Sequence, residues 1–372
     1  MKLTIERAAL LRSLAHVQSV VERRNTIPIL SNVLLEAKEE RLRLTATDMD
    51  LTIHEETEAQ IQSPGATTVP AHTFYDIIRK LPDGSEVELS ISDGGGQMRL
   101  RAGRSNFVLS TLPREDFPAA AASELPYRFT LQAQETRDLI DRTRFAVSTE
   151  ETRYYLNGIY LHVGAHDSGE VLRAVATDGH RLARVEVALP DGAAGMPGII
   201  LPRKMVNELR KLVDDYDEEL QVALSEARVC FTFGAIVLSS KLIDGTFPDY
   251  ERVIPANNDK IMTVDCSLFA EAVDRVSTIS TEKSRAVKMT VNSDRLTLFA
   301  SSPEAGSADE EIPIHYDGAA LEIGFNSRYL LDIAQQIQGE TAEFAMADAA
   351  SPTLVRDGAD TSALYVLMPM RV

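Results

Sequence analysis

The sequence predicts an α+β protein made of three tandem copies of one module, each with two helices packed on antiparallel sheet. Three observations predict it. The segment "RLRLTATDMDLTI" at residues 41–53 can be laid over "VLRAVATDGHRLARV" at 171–185, which puts Asp48 and Asp178 130 positions apart. Downstream, "STLPREDFP" matches "SSKLIDGTFPDY", and Phe117 to Phe247 is again 130. Between these landmarks, "TTVPAHTFYDIIRKLPDGSEVELSI" and "GIILPRKMVNELRKLVDDYDEELQVAL" share one order: a strand, a proline near a helix start, a helix and another strand. Self-similarity on that scale is read before any motif, because it fixes the architecture.

A third copy is fainter. "RLTLFASSPE" puts Ser302 in the slot of Asp178, and "LEIGFNSRYLLDIAQQIQGETAEFAM" follows in register, with Pro202 to Asn326 and Asp178 to Ser302 both 124. The proline-bearing stretches "SELPYRF" and "IPANNDKI" then read as joints, giving modules at 1–126, 127–257 and 258–372.

Each module opens on a helix. In the first it is "ERAALLRSLAHVQSVV", with Ala9, Leu10, Leu14 and Val17 on one stripe; "QETRDLIDRTRFAV" and "SLFAEAVDRVSTI" open the others. The strands "EVELSI", "MRLRA", "NFVLST" and "TLQA" alternate, as antiparallel sheet with one covered face should. "SDGGGQM" at 92–98 joins two alternating strands and lacks the strand–loop–helix setting of a phosphate cradle, so it reads as a hairpin loop. The end of the chain, "LYVLMPMRV", reads either as a final edge strand or as a lining of Met368, Pro369 and Met370 along a surface groove.

Composition narrows the function. The 372 residues are 44% hydrophobic and 25% charged, as in soluble globular proteins, and carry a formal charge of −18, which disfavours unselective binding to nucleic acid or anionic membrane. Tryptophan is absent and aromatics make up 6%, too few for single-strand binding by extended stacking. Cys230 and Cys266 stand alone, with no Cys/His cluster, so neither zinc, a cofactor nor a disulfide framework is expected. Charges interrupt the first apolar stretch and no window reaches the length of a membrane span, which points to the cytoplasm.

Positive charge gathers on the helices and their ends: Arg7, Arg12, Arg23, Arg24, Arg79 and Lys80 in the first module; Arg137, Arg142, Arg144, Arg203, Lys204, Arg210 and Lys211 in the second; Arg275, Lys283, Arg285 and Arg328 in the third. These are either solvated helix faces or one shared cationic surface that attracts phosphates. "TDGHR" admits two readings as well. Asp178, His180 and Arg181 have the chemistry of an acid/base pair with an oxyanion partner. However, no nucleophile stands nearby, the sister slots "TDMDL" and "SSPEA" lack histidine, and Asp-Gly is turn chemistry.

Taken together, "ATDGHRLA", "RYYLNGI", "FPDYERVIP", "IGFNSRYLLD" and the terminal "VLMPMRV" closely resemble the bacterial DNA polymerase III beta subunits, the replicative sliding clamps, over essentially the whole length. The resemblance implies three clamp-fold domains forming a half-ring that closes as a head-to-tail homodimer around duplex DNA, without catalysis. It implies that Arg24, Arg79, Arg203, Lys204, Lys283 and Arg285 approach the duplex through phosphates rather than bases. It implies a cleft for partner peptides between the second and third domains. Leu156, Thr177, Gly179, His180, Arg181, Leu182, Pro248, Arg252 and Val253 match one wall. Asn326, Tyr329, Met368, Pro369, Met370 and Arg371 match the other. Ala350 and Pro352 depart from the family's pattern there. Phe107 and Ile279 match apolar positions of the ring joint. The implied partners are duplex DNA, a second copy of the chain, the replicative polymerase alpha subunit, the clamp loader, and other polymerases and repair proteins carrying short clamp-binding peptides.

Overall fold

The computed structural model describes residues 1–91, 96–119, 124–167, 169–280 and 285–371. Residues 92–95 of the glycine-rich hairpin loop, and Lys283, lie outside this set. Two compact units are present. One comprises Met1–Ala133, Pro190–Ala193 and Asn207–Leu242; the other comprises Gln134–Leu189, Ala194–Val206 and Ile243–Val372.

Among the described residues the α-helices are α1 (Arg7–Gln18), α2 (Ala71–Lys80), α3 (Ala133–Asp141), α4 (Arg203–Leu212), α5 (Cys266–Ser277) and α6 (Ser327–Ala334). Their apolar stripes are short and one-sided, so packing rather than propensity holds them. On α1 the buried stripe is Leu10, Ser13, Leu14 and Val17, with Ala9 at its half-buried margin. Ser13 is tolerated inside because its hydroxyl donates to Glu55 at 2.9 Å, and His16 Nδ1 lies 2.7 Å from the same carboxylate. The third-module helices α5 and α6 are capped: Asp265 accepts from Leu268 N–H at 2.8 Å and Asn326 from Arg328 N–H at 3.0 Å. The second-module helix predicted through residue 147 stops at Asp141, and the chain continues as a separate 3₁₀ turn, Arg144–Ala146. At its end the Thr143 N–H donates to the Ile140 carbonyl, and the Thr143 hydroxyl donates to the Leu139 carbonyl left open there.

All strand pairs are antiparallel, and the alternation read from the sequence is the burial pattern found: Gln97–Ala102 buries every second residue, as does Arg228–Phe233. The first unit holds a five-stranded and an eight-stranded sheet, the second a nine-stranded and a four-stranded sheet. Strands of the middle repeat are lent to two sheets. Ile236–Lys241 pairs with Leu51–Glu58 of the first repeat, and Arg181–Ala188 pairs with Ala363–Leu367 of the third. The expectation of a final edge strand is therefore corrected. Ala363–Leu367 is flanked on both sides, by Arg181–Ala188 and Thr353–Asp357, and all five of its residues are buried. Its unbroken apolar run reflects coverage on both faces, a pattern that sequence alone does not distinguish from an edge.

Candidate peptide groove and cationic positions

The turn that follows strand Gly169–Thr177 is built by its own side chains. Thr177 Oγ1 donates to the Arg181 carbonyl at 2.7 Å and accepts from Gly179 N–H at 3.1 Å; Asp178 Oδ1 accepts from the N–H groups of His180 and Arg181 at 2.9 and 3.0 Å. Gly179 has φ +89°, and a Cβ there would stand 2.6 Å from the Arg153 guanidinium. The left-handed φ favours glycine, although the equivalent turn of the first repeat holds Met49 at φ +81°. With Asp178 Oδ2 also taken by Arg181 Nε at 3.1 Å, none of the hydrogen bonds of Asp178 goes to the His180 ring. The carboxylate shapes a turn and does not orient an imidazole, which removes the geometry an acid/base site requires.

Arg181 is buried. Its guanidinium donates to Asp178, Asp332 and the Phe145 carbonyl, and it stacks over the Tyr329 ring at 4.3 Å and Phe145 at 5.1 Å. Each of its three nitrogens donates to the protein, and its stack fixes the position of Tyr329. His180 is exposed, its ring nearly parallel to Tyr329 at 6.4 Å.

The end of the chain is stapled beside this turn. Met368 N–H donates to the His180 carbonyl at 2.9 Å, and Met370 N–H donates to Gly324 at 2.9 Å, next to the strand that ends at Asn326. Met368 is exposed, Pro369 and Met370 half-buried, Arg371 exposed. Leu156 and Leu182 are buried in one cluster with Phe247, Tyr250, Leu354 and Val366. Pro248, Arg252 and Val253 project from the segment anchored by Phe247 and Tyr250, and Arg252 pairs with Asp249 at 2.6 Å. The structure thus joins Thr177, Gly179, His180, Arg181, Tyr329 and Met368 through direct contacts, with Leu156 and Leu182 buried in one cluster and Met370 bonded to Gly324. Asn326 is tied in as the cap of α6, while Pro369 and Arg371 continue the stapled strand end. Sequence reading missed Arg153, held by two bonds to Glu150 at 2.8 and 2.6 Å, and Asp332, the anchor of Arg181. Arg153 carried a signal, since it sits in "RYYLNGI"; Asp332 looked like one more acid on a helix.

The cationic positions divide. Arg24 is exposed just beyond α1, Arg79 ends α2 beside Asp76 at 3.1 Å, and Arg203 is exposed at the start of α4 with half-buried Lys204 next to it. Arg285 precedes strand Ala286–Asn292 with φ +44°. Arg203 and Lys204 occupy a helix N-terminus, where the macrodipole favours anions, so helix stability does not explain them. Other cations in the helical inventory serve the fold. Arg7 donates to the Ile78 and Arg79 carbonyls at 3.1 and 2.7 Å and caps α2; buried Arg142 binds Tyr365, Ser362 and Asp360; Arg275 is held by Glu310. Of the ring-joint positions, Phe107 and Ile279 are both half-buried.

Both thiols are free, and burial pushes the pKa of each up. Among the described residues, no cluster of His, Cys, Asp and Glu could hold a metal, and no helix is long and apolar enough to cross a membrane.

Comparison with known proteins places this geometry. Family models for the N-terminal, central and C-terminal domains of the DNA polymerase III beta subunit match residues 1–121, 130–249 and 251–371. The chain is 57% identical to the beta sliding clamp of Caulobacter vibrioides over 373 residues and 40% identical to that of Escherichia coli K12 over 375 residues, covering 100% of both chains in each case. A crystal structure of a Bartonella birtlesii sliding clamp bound to griselimycin superposes with TM-score 0.97 at 50% identity over 100% of each chain; a Caulobacter crescentus clamp does so with TM-score 0.98 at 57% identity over 100% of this chain and 99% of that one. The chain belongs to the DNA polymerase III beta subunit family, the beta sliding clamps.

Proposed function

We propose that this protein, a non-catalytic processivity clamp by family, acts as a ring of two head-to-tail copies encircling duplex DNA in the cytoplasm. The ring holds the polymerase alpha subunit, the clamp loader and other replication or repair proteins by short peptides in the groove of Tyr329 and Met368. Each copy contributes three modules, 1–126, 127–257 and 258–372. Arg24, Arg79, Arg203, Lys204 and Arg285 meet phosphates without reading bases.

One observation carries the ring. The repeat pairs equivalent strands at successive joints: Ile236–Lys241 with Leu51–Glu58, then Ala363–Leu367 with Arg181–Ala188. One cognate pair is left over. Ser105–Ser110 is the edge of the five-stranded sheet and Gly306–Pro313 the edge of the four-stranded sheet. Edges left open in this way invite another chain. The first edge presents Val108, 57% exposed, beside Arg99 and Arg101; the second presents Asp309 and Glu311. Opposite charge and an apolar centre support pairing of two copies through both edges, which closes a ring.

The test is retention on DNA. After loading onto closed circular duplex, the protein should stay bound at a salt concentration that screens phosphate contacts and should be released when the circle is cut. Equal loss from circular and linear DNA would mean ordinary electrostatic binding.

A further inference from the structure

The turn that frames the groove is built a second time, in the other unit. There Thr47 Oγ1 donates to the Leu51 carbonyl at 3.0 Å and accepts from Met49 N–H at 3.1 Å, while Leu51 N–H donates to Asp48 Oδ1 at 2.7 Å. These are the bonds of the Thr177–Asp178 turn, 130 residues earlier. The stapling bond is repeated too: Lys241 N–H donates to the Asp50 carbonyl at 2.8 Å, as Met368 does to His180 at 2.9 Å.

A cavity of about 370 Å³ opens at this second junction, within the usual range for small-ligand and peptide-anchor sites. Thr47, Met49, Thr52, Pro118, Ser239 and Lys241 line it. The repeat sets them against Thr177, Gly179, Leu182, Pro248, Val366 and Met368 of the first groove. The chemistry has changed with the substitutions. Val366 has become Ser239 and Met368 has become Lys241, and Arg228 also reaches the lining, yet among the described residues no carboxylate does. In a chain of charge −18, a lining with two cations and no acid selects for an acidic occupant. Asp50 offsets Lys241 in part, at 2.8 Å on the exposed rim. Met49, half exposed and held at φ +81°, offers an adaptable apolar contact at the mouth. Among the described lining residues the one aromatic ring is the half-buried imidazole of His54, too little to stack successive nucleic-acid bases. Both strands beneath it are paired within the chain, so it offers side chains rather than a sheet edge to an occupant.

We propose that this cavity is a second peptide site, which takes a short extended segment of a partner protein carrying a carboxylate side chain next to an apolar anchor. The first groove serves only as its template, so the two sites stand or fall separately.

The full-length protein should be titrated with a fluorescein-labelled N-acetyl-Gly-Leu-Asp-Glu-Leu amide, read by anisotropy. Saturable binding is expected, weakened at least tenfold by the double substitution Arg228→Glu and Lys241→Glu and unchanged by Tyr329→Ala. A peptide with Lys in place of Asp and Glu should bind the reversed variant and not the parent. Cys230 lines the cavity and Cys266 is buried elsewhere, so the acidic peptide should slow maleimide labelling of Cys230 severalfold. Absence of saturable binding, or binding lost with Tyr329→Ala but insensitive to charge reversal, overturns the proposal, as does displacement of the peptide by a single-stranded oligo-dT. None of these outcomes bears on retention on circular DNA.

Discussion

The Arg181 guanidinium lies 4.3 Å from the centre of the Tyr329 ring and is fixed there by Asp332, a residue of the same helix, α6. The Tyr329 ring is thus held by an ion pair made one helical turn further on. Arg181→Lys keeps the charge but loses the planar fork and the stack. It should cost roughly 2 kcal/mol of stability, because Asp178 and Asp332 lose donors in a mostly buried site. Peptide affinity should fall about tenfold, measured by anisotropy beside a denaturant titration. His180→Ala, at an exposed side chain, should weaken the peptide without moving the denaturation midpoint, and should abolish no hydrolytic turnover.

Arg203 opens α4, where its charge opposes the helix dipole. Arg203→Glu should therefore raise stability by about 0.3–1 kcal/mol. The same change should lower the slope of log K against log salt for DNA by about one, since one phosphate contact is removed. A residue kept for solvation alone would gain stability with no change in that slope.

The leftover edges fix a register. Ser240 lies opposite Leu51, and Leu367 opposite Arg181. Carried along the repeat, Val108 of one copy falls opposite Ser307 of the next. Val108→Cys with Ser307→Cys should oxidise to a covalent dimer on a non-reducing gel, with Val108→Cys alone as control. A register slipped by one residue would turn the thiols to opposite faces and leave monomers. Phe107→Arg should lower the solution mass measured by light scattering toward one chain.

Much of this was legible because the repeat writes local patterns three times: the Thr-Asp turn, the alternating strands and the helix stripes need only near neighbours. Long-range pairing was not legible. Nothing in "LYVLMPMRV" says that the strand lies between 181–188 and 353–357, since its partners are distant in sequence. Charges misled for a related reason. Arg7, Arg79 and Arg142 look alike in a helix, yet Arg7 caps a neighbouring helix, Arg142 is buried against Tyr365, and only Arg79 is exposed. Which arginines are consumed depends on carbonyls and hydroxyls brought in by the tertiary fold.

His162 should make stability fall in acid. Its Nδ1 donates to the Val163 carbonyl at 2.9 Å, which leaves Nε2, 3.0 Å from the Tyr250 hydroxyl, as an acceptor in the neutral ring. Burial, reinforced by the nearby Arg173 and Arg184 cations, lowers its pKa below 6.5. The unfolded chain therefore binds the proton more readily than the folded one. Stability is full above 6.5 and is lost as pH falls through the unfolded value toward the folded one. Protonation also removes the acceptor for Tyr250, which anchors the turn carrying Arg252 and Val253. His162→Gln cannot take up that proton, so it should flatten the fall in stability between pH 6.5 and 5, measured by urea denaturation at each pH. His54, whose pKa burial also lowers, would leave a residual slope. Parent and variant with the same slope would mean that another group titrates.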